Sequence, residues 1–139
     1  MADKIEPTSS EVDPLYTENI VPASARDRIF ACQTEDNWDD EGATGITSAA
    51  CMAALRFLGE VLRRNAQTPM PRISPSVFGA VTFQWQNEDE HLIIRVFPNA
   101  DVVSYHSEKI GVFRNISKEN RSAAIQRVLN LFNSHAPQN

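Results

Sequence analysis

Apolar residues recur along this chain with two different periods, and the change from one to the other divides it into helical and extended parts. Between Ser48 and Asn65, residues Met52, Leu55, Phe57, Leu58, Val61 and Leu62 form a wide stripe at helical spacing. Arg56, Glu60, Arg63 and Arg64 decorate the other face and the last turn, where basic side chains complement the helix dipole. Thr47 or Ser48 supplies the capping hydroxyl, so a helix over 48–65 is predicted. A shorter helix is predicted over Ala25–Gln33, opened by Ser24, with Ile29, Phe30 and Cys32 at roughly helical spacing.

The segment QTPMPRISP cannot be helix interior, because Pro69, Pro71 and Pro75 remove donors and hold the chain extended. Beyond it the period becomes two. Val81, Phe83 and Trp85, or the reverse face, alternate within Gly79–Gln86, NEDE turns the chain, and His91–Phe97 returns through Leu92, Ile93, Ile94 and Val96. Pro98, Asn99, Ala100 and Asp101 make a second turn before a third strand over Val102–His106, and Ile110–Phe113 offers a short fourth. Ser117 then caps a last helix with a stripe of Ala124, Ile125, Val128, Leu129 and Phe132, ending near Asn133. The order helix, helix, meander, helix predicts an α+β fold. Its antiparallel meander of three to four strands has about three helices packed mainly on one face.

At 139 residues the chain suits one hydrophobic core. Residues 1–22 carry three prolines and scattered acids without a sustained apolar period, which predicts a flexible acidic arm before a single domain over 23–135 and a disordered tail over 136–139. Leu15, Tyr16, Ile20 and Val21 are the apolar cluster of that arm. They are the candidate partner-binding residues, with packing on the chain's own domain as the alternative. No stretch is apolar enough to span a bilayer and the start lacks a signal-peptide pattern, so a cytoplasmic location is expected. The formal net charge of −5 argues against direct binding of nucleic acid, which needs a basic surface.

Candidate chemistry is concentrated in TEDNWDDEGATG. Placing Gly42 at the sixth position of a calcium loop puts Asn37, Asp39 and Glu41 at the first, third and fifth. The twelfth position falls on Ser48, where a bidentate glutamate is required, so no metal is assigned. The loop is instead expected to be structural: Trp38 buried as its anchor, Asp39 or Asp40 bonding loop amides, and Gly42 making the turn. Cys32 and Cys51 have no metal-ligand or redox spacing and are expected to be buried thiols.

This loop and the segment after it resemble a widespread set of small bacterial proteins. In those proteins a Trp-Asp-x-x-Gly-Ala loop precedes a helix, a proline-containing segment and a meander with an aromatic residue in its first long strand. Trp38, Asp39, Gly42, Ala43, Pro71, Pro75, Gly79 and Trp85 match that layout, within about residues 26–106. Many of those proteins have glycine directly after Trp-Asp, where this chain has Asp40. The resemblance implies a compact module without an established reaction, in some cases from phage or toxin–antitoxin settings.

No catalytic residue and no cofactor is assigned. The function expected is a non-enzymatic protein-binding module, an antitoxin-like, anti-defence or adaptor factor of a bacterium or phage. Its acidic charge suits a basic or nucleic-acid-processing protein partner and no membrane. Two alternatives stand beside it. One is a small enzyme or small-ligand binder using the Trp38 loop and a sheet edge bearing His91 and His106. The other is a homodimer joined through a strand edge or the last helix.

Overall fold

The computed structural model describes residues 20–109 and 112–133. Helix α1 covers Ala23–Ala31 and α2 covers Ser48–Arg64. Strands β1 (Arg72–Pro75), β2 (Val81–Asn87), β3 (Glu90–Val96), β4 (Val102–Lys109) and β5 (Val112–Glu119) follow, and α3 covers Arg121–Asn133. The strands pair antiparallel in chain order, β1-β2-β3-β4-β5. The α+β meander expected from the periodicity is therefore present, with five strands rather than three or four.

The added strand is β1. Pro71 before it and Pro75 at its end had suggested only an extended lead-in, but an edge strand bonds on one side alone and tolerates proline. Ile73 pairs with Phe83 and Pro75 with Val81. At the other end β5 runs to Glu119, past the capping position assigned to Ser117. Asn120 takes that role: its side-chain oxygen accepts from the Ala123 amide at 2.8 Å and its carbonyl from the Ala124 amide at 3.1 Å. Helix α2 opens as expected, with the Thr47 hydroxyl accepting from the Ala50 amide at 3.2 Å. Helix α1 begins earlier than Ser24 implied. Pro22 precedes it without a side-chain cap, and its carbonyl accepts from the Arg26 amide at 3.0 Å.

Register sets the core. Val81 is opposite Val96, Phe83 opposite Ile94 and Trp85 opposite Leu92, and Val96 is opposite Val102 on the far side. Cross-strand partners share a face, so these residues make one apolar sheet surface, all of it buried. That surface and the buried stripes of the three helices belong to one core cluster. At its centre the Phe57 ring of α2 stacks on Phe83 at 6.0 Å, and Phe83 meets Trp85 at 5.7 Å. The Trp85 indole N–H donates to the Pro69 carbonyl at 2.8 Å, so the largest core side chain carries no unmet donor. Asn87 at the end of β2 donates its side-chain amide to the Leu131 carbonyl at 2.8 Å, tying the hairpin to the last turn of α3.

The core begins earlier than the predicted domain boundary at residue 23. Val21 is 3% exposed within the main cluster, and Ile20 packs against it. Their assignment to a partner-binding arm is corrected accordingly: apolar side chains beside α1 gain more from burial in the core than from water. Leu15 and Tyr16 lie outside the described residues. Cys32 and Cys51 are buried free thiols, as expected. Burial, with Cys51 nearby, pushes the Cys32 thiol up to about 11, and burial also raises Cys51.

Candidate interaction site

The loop between α1 and α2 is closed at its base by two backbone bonds. The Thr34 amide donates to the Ile46 carbonyl at 3.0 Å, and the Ile46 amide returns the bond at 3.1 Å. Inside this clasp the acidic side chains accept from the backbone. Asp36 accepts from the Gly45 amide at 2.7 Å, and the Asn37 side-chain oxygen from Gly42 at 2.8 Å. Asp39 accepts from Glu41 at 2.9 Å and from Ala43 at 3.0 Å. Those two bonds hold the Asp39 carboxyl below its ordinary range, since each favours the ionised form. Asn37, Asp40 and Gly42 take φ values of +61°, +62° and +89°. Asn, Asp and Gly are the residues that enter the left-handed region at least cost, so this composition suits the loop's path.

Of the two candidates for bonding loop amides, Asp39 is the one that does so. Trp38 departs from expectation. It is only half-buried and outside the core cluster, and its indole N–H donates to the Thr44 carbonyl at 3.0 Å. It braces the loop from outside, and Trp85 fills the core.

Thr44 has a second attachment. Its amide donates to the Val77 carbonyl at 2.8 Å, and it forms a parallel bridge with Phe78. Residues 76–80 are the connection between β1 and β2. The Ser76 amide donates to Ala80 at 2.9 Å, the Gly79 amide to Ser76 at 3.1 Å, and the Ser76 hydroxyl accepts from the Phe78 amide at 3.1 Å. Gly79 stands at φ +86°, and a Cβ there would lie 2.8 Å from the Thr44 methyl. Glycine is thus needed both for the turn and for the approach of the two loops.

On this doubly fastened tip, Val77 is 43% and Phe78 58% exposed. The Arg95 guanidinium of β3 lies over the Phe78 ring. Met70, the other large exposed apolar residue among those described, sits before the opposite end of β1. The tip was missed in the sequence because Val77 and Phe78 resemble the alternating residues that follow. Their bracketing by Pro75, Ser76 and Gly79, all turn formers, was the available signal.

β3 and β4 are interior strands. His91 pairs with Ser107 and Leu92 with His106, so the two histidines are one register position apart on neighbouring strands. Among the described residues no group of three or more metal-ligating side chains is assembled, and no helix is long and apolar enough to cross a membrane. Compared with protein-family models, curated proteins and solved structures, the chain matches none.

Proposed function

We propose that this chain is a non-enzymatic protein-binding module and that the Val77–Phe78 tip is its contact element. The supporting observation is the exposure of two large apolar side chains on a hairpin end whose backbone is held by Thr44. Anchors presented on a rigid element lose little conformational entropy on association, which favours affinity. An antitoxin-like, anti-defence or adaptor role in a bacterial or phage setting, in the cytoplasm, agrees with such a surface and with the acidic composition. The test is affinity capture from the native host with the full chain and with Phe78→Ser, each followed by mass spectrometry. A protein retained by the first and lost with the second supports the reading. Identical captures refute it.

A structural homodimer is the second reading, favoured by the contrast between the sheet's edges. β1 has four residues and ends at Pro75, whereas β5 has eight and no proline. An edge of that length offers backbone groups to another strand. Sedimentation equilibrium of the full chain separates the two readings, since a monomer at micromolar concentration removes the second.

A further inference from the structure

Resting on the binding reading above, we infer that the partner docks a segment that sets an apolar side chain against Val77 and Phe78 and places Lys or Arg beside it. The reason lies in the loop fastened to the tip. Between Thr34 and Thr47 the chain carries Glu35, Asp36, Asp39, Asp40 and Glu41 and no lysine or arginine.

These carboxylates divide into two sets. Asp36 and Asp39 accept loop amides and are part of the loop's own structure. Glu35, Asp40 and Glu41 are exposed, and none makes a side-chain hydrogen bond or ion pair with another described residue. Asp40, at φ +62°, closes the loop's turn with its amide on the Asn37 carbonyl, and Glu41 follows it. Thr44 joins that turn to Phe78 through the Val77 hydrogen bond and the bridge. Unneutralised like charges on a rigid loop repel one another, and a basic segment relieves that repulsion on docking.

Arg95 also bears on the tip. Arg95 already lies over the Phe78 ring and occupies the cation position on that face. The occupant therefore makes apolar contact at Val77 and Phe78 and sets its basic side chains toward Asp40 and Glu41. A nucleic-acid backbone is disfavoured because its phosphates would meet the same carboxylates.

The experiment selects from a random peptide display library on the immobilised full chain, then measures the enriched peptides against three proteins: wild type, Phe78→Ser, and Asp40→Asn with Glu41→Gln. Neither Asp40 nor Glu41 supports the fold through its side chain, and equal melting temperatures of wild type and double variant verify that. The expected peptides pair an apolar residue with nearby Lys or Arg and lose binding to Phe78→Ser. Their affinity for the charge-neutralised variant falls by about tenfold, with a similar fall on raising salt from roughly 0.05 to 0.5 M. Peptides that require Phe78 but lack basic residues and ignore both neutralisation and salt overturn this inference and leave the binding reading intact. Failure to enrich any Phe78-dependent peptide overturns both.

Discussion

The guanidinium carbon of Arg95 lies 5.2 Å from the centre of the Phe78 ring, joining the exposed hairpin tip to the middle of the sheet. Arg95 is itself fixed by its position opposite Thr82 on β2. An exposed cation–π contact contributes about 0.5 to 1 kcal/mol, so Phe78→Ala should lower stability by no more than about 1 kcal/mol. In a double-mutant cycle with Arg95→Ala, urea denaturation should give a coupling of about 0.5 to 1 kcal/mol. Additive single effects would show that the stacking contributes nothing.

Two glycines of the acidic loop should respond differently to alanine. At Gly45 a Cβ would lie 2.7 to 2.9 Å from backbone atoms of Thr34, Glu35 and Asp36, which cannot rotate away. At Gly42 nothing lies within 4 Å and only the φ of +89° opposes a side chain. Gly45→Ala should therefore cost about 3 kcal/mol and Gly42→Ala about 1 kcal/mol, measured by chemical denaturation. Equal losses would mean that the clasp around Gly45 yields more easily than its backbone contacts imply.

Asp39 gives the loop a pH dependence of definite sign. Its folded pKa lies below the ordinary 3.8, first through the bond from the Glu41 amide and then through that from Ala43. The stabilisation is thus complete above the unfolded value and is lost as pH falls through the folded one. The difference in melting temperature between wild type and Asp39→Ala should be largest near neutrality and should shrink below about pH 4. A difference that grows on acidification would contradict the amide bonds as its source.

The two tryptophans differ in burial and therefore in what their loss costs. Trp85 is 2% exposed, with its ring tilted against Phe83 in the core, so Trp85→Ala should cost about 3 to 5 kcal/mol. Trp38→Ala removes one hydrogen bond and partial burial, about 1 to 2 kcal/mol. Intrinsic fluorescence offers a check without mutation: acrylamide should quench one tryptophan readily and leave the other protected.

Val21 tests where the domain starts. Replacing it by alanine removes buried methyl groups and should destabilise the chain by about 1.5 kcal/mol or more, read from thermal or urea melts. Deleting residues 1–22 should cost at least as much. Unchanged melting on that deletion would return Ile20 and Val21 to the arm.

The parts of the fold that were legible are those where a period repeats several times. α2 shows five helical turns of stripe, and β2 and β3 alternate cleanly, so both were placed within one or two residues. Boundaries set by a single competing residue were harder. Ser117 and Asn120 are both good caps, and only strand pairing extending to Glu119 decides between them. Pro71 and Pro75 obscured β1 because an edge position is a tertiary property. The loop's internal bonding followed from its acids and glycines, but the placement of Trp38 depends on Thr44, and the exposure of Phe78 depends on a contact between segments separated by α2. Local sequence carries no record of such a meeting. The relative position of His91 and His106 is likewise not local, since it depends on the register of β3 on β4.

The bond between Thr44 and Val77 also has a bearing on when the protein acquires its surface. The hairpins of the meander close over short stretches of chain, but this junction encloses the whole of α2 and β1 and forms only after that longer segment has been ordered. A nascent or truncated copy lacks the joined loops even where its individual turns have formed. Any partner that reads both sides of the junction discriminates the finished molecule from unfinished ones. Its binding energy, in turn, drains the partly folded population toward the native state.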